Sequence, residues 1–270
     1  MLSDSGRAQE IDKRFDTDIS EGQFANQLFI RLVSKGRSFT KVDFKYSIFD
    51  TCYLRSCKFD SCDFTGCRFL GTNLHGSTFS GCKFDYAIFE RTLVEDDILD
   101  TECPGPDNIK MRFARTLRMN YQQLGDAASA NKAIEVELQA SKVHKLKAWR
   151  SNESYYRKKY SGGKRLKAFL DWLSFMALDF IWGNGESVMK ALRAIAIVLI
   201  LMAFIDVIAF GDPHRLDSYI HALLKSPQIF LGTASANSHY WGLYLTGVVV
   251  ARLIAFGFLL SIIIKRSNRR

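Results

Sequence analysis

Five of the six cysteines stand at positions 52, 57, 62, 67 and 82, each five residues or a multiple of five from the last. Thiols in such number invite metal or redox chemistry, yet single cysteines spaced by five residues or a multiple of five are not the paired grouping of a zinc site. In a reducing compartment these residues read as small buried thiols. Cys103 stands apart from the run. His75 follows Leu74 and reads as a solvated wall residue, while His214, His221 and His239 share one loop in which metal binding is unmotivated. No Gly-rich phosphate loop, nucleophile elbow or His/Asp/Glu set at metal spacing occurs. No catalytic residue, metal or cofactor is therefore expected, and the chain does not read as an enzyme. The residues that keep chemical interest are two charges inside long apolar segments, Asp206 and Arg252.

The cysteines occupy one place in a longer pattern, seen in FDTCYLRSCKFDSCDFTGCRF. From Phe39 every fifth residue to Val94 is apolar: Phe39, Phe44, Phe49, Leu54, Phe59, Phe64, Phe69, Leu74, Phe79, Phe84, Phe89 and Val94. Two places earlier the residues are small from Val42 onward, and the cysteines belong there. A helix buries residues with a period near 3.6 and a strand with a period of 2, so neither explains the spacing. The pattern resembles the pentapeptide-repeat family, whose unit is small, polar, Leu or Phe, then two variable residues. The resemblance implies a right-handed quadrilateral β-helix over 37–103, one repeat per side and about three coils. Phe44, Phe64, Phe84, Phe59 and Phe79 would fill its core beside Cys62 and Cys82. Some members of that family are acidic rods that mimic DNA and protect topoisomerases; a short rod on a basic chain departs from that pattern.

An open β-helix end needs a cap. In the N-terminal segment 1–36, Ser20 with Gln23 forms a capping box. Phe24, Leu28, Phe29, Leu32 and Val33 share a helical face and Gly36 stops it, so a capping helix is predicted there. At the other end the period stops at Cys103-Pro104-Gly105-Pro106. Beyond it, 104–163 reads as a helical hairpin and a basic linker. Asp107 reads as an N-cap, Ile109, Phe113, Leu117, Tyr121 and Leu124 keep helical spacing up to Gly125, and a second helix runs from Asp126 to Trp149. The pair resembles the tetratricopeptide-like hairpin.

The chain carries a formal charge of +9, and residues 142–167 alone hold ten Lys or Arg against Glu153. With Tyr155, Tyr156 and Tyr160 among them, these cations could serve single-stranded nucleic acid or an anionic membrane. Lys158, Lys159, Lys164, Arg165 and Lys167 stand just before apolar segments, so the membrane surface is the expected partner and nucleic acid is not. Residues 164–185 then read as an interfacial amphipathic helix.

Two apolar stretches, 194–210 and 241–264, bracket the ~20 residues that cross a bilayer as a helix. Lys190, Arg193, Lys265 and Arg266 flank them, whereas the loop between carries only Arg215 and Lys225, which puts both termini in the cytoplasm. The chain thus reads as a β + α membrane protein of the inner-membrane, bacterial type: β-helix, helical linker, two transmembrane helices. Within the module 186–270, the order span, short helix at 218–235, span resembles two-span tetrameric cation channels. Their Thr-x-Gly-Tyr-Gly-Asp filter would fall on Phe230, Leu231, Gly232, Thr233, Ala234 and Ser235, where only Gly232 matches. Potassium selectivity rests on both glycines, so it does not carry over. The alternative for residues 218–235 is a plain surface loop.

By helical rise Asp206 lies ~6 Å and Arg252 ~16 Å inside their spans. They could pair, Arg252 snorkelling upward, or Arg252 could repeat around an oligomer axis as a basic ring. Gly247, Ala251, Ala255 and Gly257 would let helices approach closely. The expectation is a homo-oligomeric pore, tetrameric by resemblance, whose β-helix senses an unknown cytoplasmic protein or ligand. The rival is a non-conducting membrane-anchored scaffold.

Overall fold

The computed structural model describes residues 6–233 and 240–267, which divide into one compact unit up to Phe169 and another from Leu170. The first begins with eleven short strands among the described residues: β1 (Ala8–Ile11), β2 (Ile19–Ser20), β3 (Gln27–Ile30), β4 (Val33–Lys35), β5 (Ser38–Thr40), β6 (Ile48–Asp50), β7 (Tyr53–Arg55), β8 (Lys58–Asp60), β9 (Arg68–Leu70), β10 (Thr78–Ser80) and β11 (Ile88–Glu90). They form parallel walls in the orders β1-β3-β6-β9-β11, β10-β8-β5-β2 and β4-β7. Bridges Gln23 to Asp43, Asp43 to Asp63 and Asp63 to Lys83 run up the fourth side. Phe29, Phe49, Phe69 and Phe89 lie in register up one wall, so a coil takes twenty residues.

Stacking follows from that register. Ring centroids of Phe29, Phe49, Phe69 and Phe89 are 5.1, 5.0 and 4.9 Å apart up the wall, close to the ~4.8 Å between paired strands. Phe44, Phe64 and Phe84 stack at 5.2 and 5.0 Å, and Phe59 and Phe79 at 5.2 Å. Each such pair contributes about 0.5–1.5 kcal/mol beyond area burial. The small residues do more than leave room for the rings. Cys62 Sγ donates to Phe39 O at 3.3 Å, Cys67 Sγ to Phe44 O at 2.9 Å, Thr72 Oγ1 to Phe49 O at 3.0 Å and Ser77 Oγ to Leu54 O at 2.6 Å. Cys82 Sγ repeats the bond to Phe59 O at 3.5 Å. A Cys, Ser or Thr here thus ties its own coil to the one before it. The corners bend through left-handed backbone, as at Ser61 with φ 53° and Gly66 with φ 69°; at Gly66 the Tyr46 ring also lies where a β-carbon would sit.

Two expectations fail here. The solenoid makes about four turns, not three, because coils begin before Phe39. No capping helix forms among the described residues of 1–36: Gln27–Ile30 and Val33–Lys35 are strands, and Phe29 is buried in the core. Phe24, Phe29 and Phe39 keep the five-residue register, but Ser34 takes the place of a large residue and Leu32 the place of a small one. The two sizes are exchanged, and both side chains are buried. The first coil is also one residue short, since Glu10 pairs with Phe29. The same apolar residues happen to fit a helical face, which disguised the repeat. At this end Lys13 closes the stack, its Nζ 5.5 and 5.8 Å from the Phe15 and Phe24 ring centroids and 2.9 Å from Glu10 Oε1.

The helical cap lies at the other end, formed by α1 (Ile98–Thr101) and α2 (Asp107–Leu124). The last coil has no following coil to take its N–H groups, so side chains supply the acceptors. Glu102 Oε2 accepts from Cys82 N at 2.6 Å, Thr116 Oγ1 from Phe89 N at 3.0 Å and Gln123 Oε1 from Arg91 N at 3.1 Å. Asn120 bonds both the N–H and the C=O of Thr92, at 2.7 and 2.8 Å. Phe113 extends the aromatic column, 5.8 Å from Phe84 and 6.2 Å from Phe89. Asp107 is the first residue inside α2 rather than its N-cap; its carboxylate takes Lys147 Nζ at 2.7 Å from α3 (Ala127–Arg150), which packs along α2.

The chain continues through α4 (Ser154–Lys159), α5 (Gly163–Trp182), a tight turn at Gly183–Gly185, α6 (Val188–Phe210), α7 (Leu216–Leu231) and α8 (Gly242–Ser267). Val188–Ala209 and Gly242–Lys265 have mean hydropathies of 2.6 and 2.5, yet only 22% and 11% of their most apolar windows are buried. The core helix of a soluble protein would bury such residues. These two helices are long and apolar enough to cross a membrane.

Candidate functional site

The basic run is built on α4 and the start of α5. Lys158, Lys159, Lys164, Arg165 and Lys167 are all exposed. Lys159 donates to Tyr155 Oη at 3.1 Å and lies 5.4 Å from both the Tyr155 and Tyr160 ring centroids; Arg165 Nε donates to Trp149 O at 2.8 Å. Tyr156 is buried, and His144 sits between Tyr156 Oη at 3.2 Å and Tyr160 Oη at 3.4 Å. Burial first, and the Lys159 charge second, hold the His144 pKa below its ordinary value. Two of the tyrosines that could have stacked nucleic-acid bases are thus engaged within the protein. Beyond the cations, Leu166, Leu170 and Leu173 form an exposed apolar stripe on α5 at helical spacing.

In the second unit α7 runs back along α6. Tyr219 and Ala222 pack on Ala203 and Val207, while Ile229 and Phe230 pack nearer the start of α6, with Met202, Leu199 and Val198. Pro227 lacks the N–H that would bond Leu223 O, and Ser226 Oγ donates to that carbonyl at 3.0 Å instead. The helix ends at Gly232, φ 78°, and Thr233 N and Oγ1 both bond Gln228 O, at 2.9 and 3.2 Å. Phe230 is buried with Met202 and Val248, whereas Leu231, Gly232 and Thr233 are exposed; Ala234 and Ser235 lie outside the described residues.

Asp206 and Arg252 are not brought together. Tyr240 Oη donates to Asp206 Oδ1 at 2.5 Å, and the Arg252 guanidinium lies against Gly232, where any β-carbon would collide with it. A cation at the carbonyl end of a helix is favourably placed against the helix dipole. Sequence reasoning found both charges but neither partner, because Tyr240 and Gly232 are local turn residues whose neighbours are set by helix packing. Among the described residues no group of three His, Cys, Asp or Glu could hold a metal ion.

Against known families, residues 38–76 and 57–93 match the model for pentapeptide repeats, in eight copies. This part of the chain is a β-solenoid whose five-residue units match that model. Among solved structures, this chain is similar to a trypsin-treated form of QnrB1, a plasmid-mediated fluoroquinolone resistance protein, at 19% identity over 33% of this chain, TM-score 0.21. It is also similar to a pentapeptide repeat protein from the Arabidopsis thaliana thylakoid lumen, at 19% identity over 35% of this chain and 74% of that one, TM-score 0.16. The chain spans about half, 54%, of the QnrB1 chain it matches. No curated protein matches this chain.

Proposed function

We propose that this chain is a homo-oligomeric, pore-like membrane protein whose pentapeptide-repeat solenoid is a cytoplasmic docking or sensing module. The observation that carries this reading is α7, which turns back along α6 and stops at Gly232 beside Arg252, ten residues into α8. That is ~15 Å by helical rise, about half of the ~30 Å hydrocarbon core. A helix that enters and stops half-way is tolerated when it lines a water-filled cavity or is buried in protein. The charge at its end speaks against potassium: a helical end with a guanidinium beside it is not a row of carbonyls aimed at a cation. Arg252 repeated around an axis would favour anions.

The excess of Lys and Arg at the start of the first span and the end of the second supports an inner-membrane topology with both termini cytoplasmic. Lys158, Lys164 and Lys167 beside the apolar stripe of α5 support contact with anionic lipid, and the engaged Tyr156 and Tyr160 speak against nucleic acid. A tetramer is the assembly that the resemblance to two-span channels favours. Planar-bilayer recording of the purified chain tests the proposal: current is expected, with an ion preference that reverses in Arg252→Glu. The second reading, a non-conducting membrane-anchored scaffold, draws on buried Phe230, which holds the α7 end shut against α6 and α8. Silence from both versions would establish it.

A further inference from the structure

We infer that a groove between the end of α5, the start of α6 and the latter part of α8 holds an acyl chain of an anionic phospholipid, with the lipid phosphate at Arg193. The inference rests on the membrane reading above. The groove has a volume of about 320 Å³ and is lined by Phe180, Ala194, Val198, Ala251, Ala255 and Phe258 among others, with no charged side chain. Its size lies at the lower end of ligand sites, and its lining is apolar throughout. The alanines create it: α6 and α8 present Ala194, Ala251 and Ala255 where larger residues would fill the space.

Among the described residues Arg193 is the cation at its mouth that has no carboxylate partner. Arg193 Nη2 donates to Phe180 O at 2.6 Å, and the guanidinium lies 4.6 Å from the centroid of the Phe180 ring that lines the groove. The neighbouring charges are already neutralised, Lys190 by Asp179 at 2.6 Å and Lys265 by Glu186. Arg193 faces no carboxylate among the described residues, and one bond to Phe180 leaves most of its five N–H donors for a phosphate. A cation without a carboxylate partner over an apolar channel, at the end where α6 enters the apolar layer, fits one molecule in two parts: an anionic head and a hydrocarbon tail. Trp182 marks the site, stacked on Phe258 at 4.3 Å.

The test uses the full chain in detergent, titrated with phosphatidylglycerol or phosphatidylcholine carrying brominated acyl chains. Quenching of Trp182 is read as the difference between the chain and its Trp182→Phe variant. Phosphatidylglycerol should quench Trp182 at about five-fold lower mole fraction than phosphatidylcholine, the effect of one cation near a lipid headgroup. Arg193→Gln should erase the difference and Arg193→Lys should retain it. Ala255→Phe, or Ala194→Phe should the first not fold, should protect Trp182 from both lipids while the other tryptophans quench as before. Equal quenching by the two lipids, or quenching unchanged by a filled groove, overturns the inference. So does a Trp182 that is shielded from both lipids until the oligomer is dissociated, which would mean that a second copy fills the groove. If no tryptophan is quenched by either lipid and the chain stays dissolved without detergent, the membrane reading itself falls.

Discussion

The solenoid and the helical module solve the same problem in opposite ways. In the solenoid, backbone groups bond across coils twenty residues apart and the large side chains point inward, so that Phe29, Phe49 and Phe69 are almost wholly buried. In the module each helix bonds its own backbone, and large side chains such as Leu253, Ile263 and Leu243 point outward. The first arrangement suits water outside it, and the second is apolar enough outside to suit hydrocarbon. A repeat that buries its own core can be damaged at any coil, whereas a helix with an apolar exterior is sensitive only where it touches another.

The largest break in this contrast is Phe64→Asp. A carboxylate at the centre of the ring stacks has no partner, and a loss above about 5 kcal/mol should unfold the solenoid. Circular dichroism would show the β signal lost while the helices persist in detergent. Leu253→Ala, on the exposed side of α8, should leave stability in detergent within about 0.5 kcal/mol of the parent. Next comes Asn120→Ala, which strands both backbone groups of Thr92 in a buried site and should cost about 2–4 kcal/mol by urea titration of the solenoid transition.

Alkali should separate the two regions as well. Burial pushes the Cys52 thiol from 9.0 up to about 12, and Cys67 is raised by the same cause. A raised folded pKa means that the native state keeps its proton where the unfolded chain loses it. Solenoid stability is therefore fully present below about pH 9 and falls as pH rises toward 12. By pH 10 the loss should be about 1.4 kcal/mol for each such thiol, and Cys52→Ser should flatten the profile. At pH 8 the repeat thiols should resist alkylation until the chain is unfolded.

In the module the corresponding sensitive point is Gly232→Ala. It adds a methyl group at φ 78° against the Arg252 guanidinium and should lower the thermal midpoint in detergent, by about 1 kcal/mol or more. Arg252→Ala in the same chain should recover the part due to the collision. The smallest loss expected at a contact belongs to Lys13→Ala, above only the near-neutral Leu253→Ala: it uncovers the Phe15 and Phe24 rings at one end and should cost about 0.5–1 kcal/mol.

What could be read in advance follows the same division. From Phe39 to Val94 the spacing of large and small residues was sufficient, because each repeat makes its contacts at a fixed separation of twenty residues. The register was hidden before Phe39, where Leu32 and Ser34 exchange sizes and the first coil is a residue short. The cap was sought at the wrong end, since Thr116, Asn120 and Gln123 are ordinary surface residues of a helix until the unpaired N–H groups of the last coil are placed beneath them. The two apolar helices were visible as composition in their number, but the first starts at Val188, six residues before its apolar stretch does.

Sequence alone determined the solenoid and the two long apolar helices, because both depend on side-chain size and polarity repeating along the chain. Tertiary structure decided everything that rests on a single pair of distant residues: Arg252 against Gly232, Tyr240 on Asp206, Arg193 on Phe180. A period is written many times over and survives local exceptions. A lone contact is written once, in two places whose distance is set only when the helices pack.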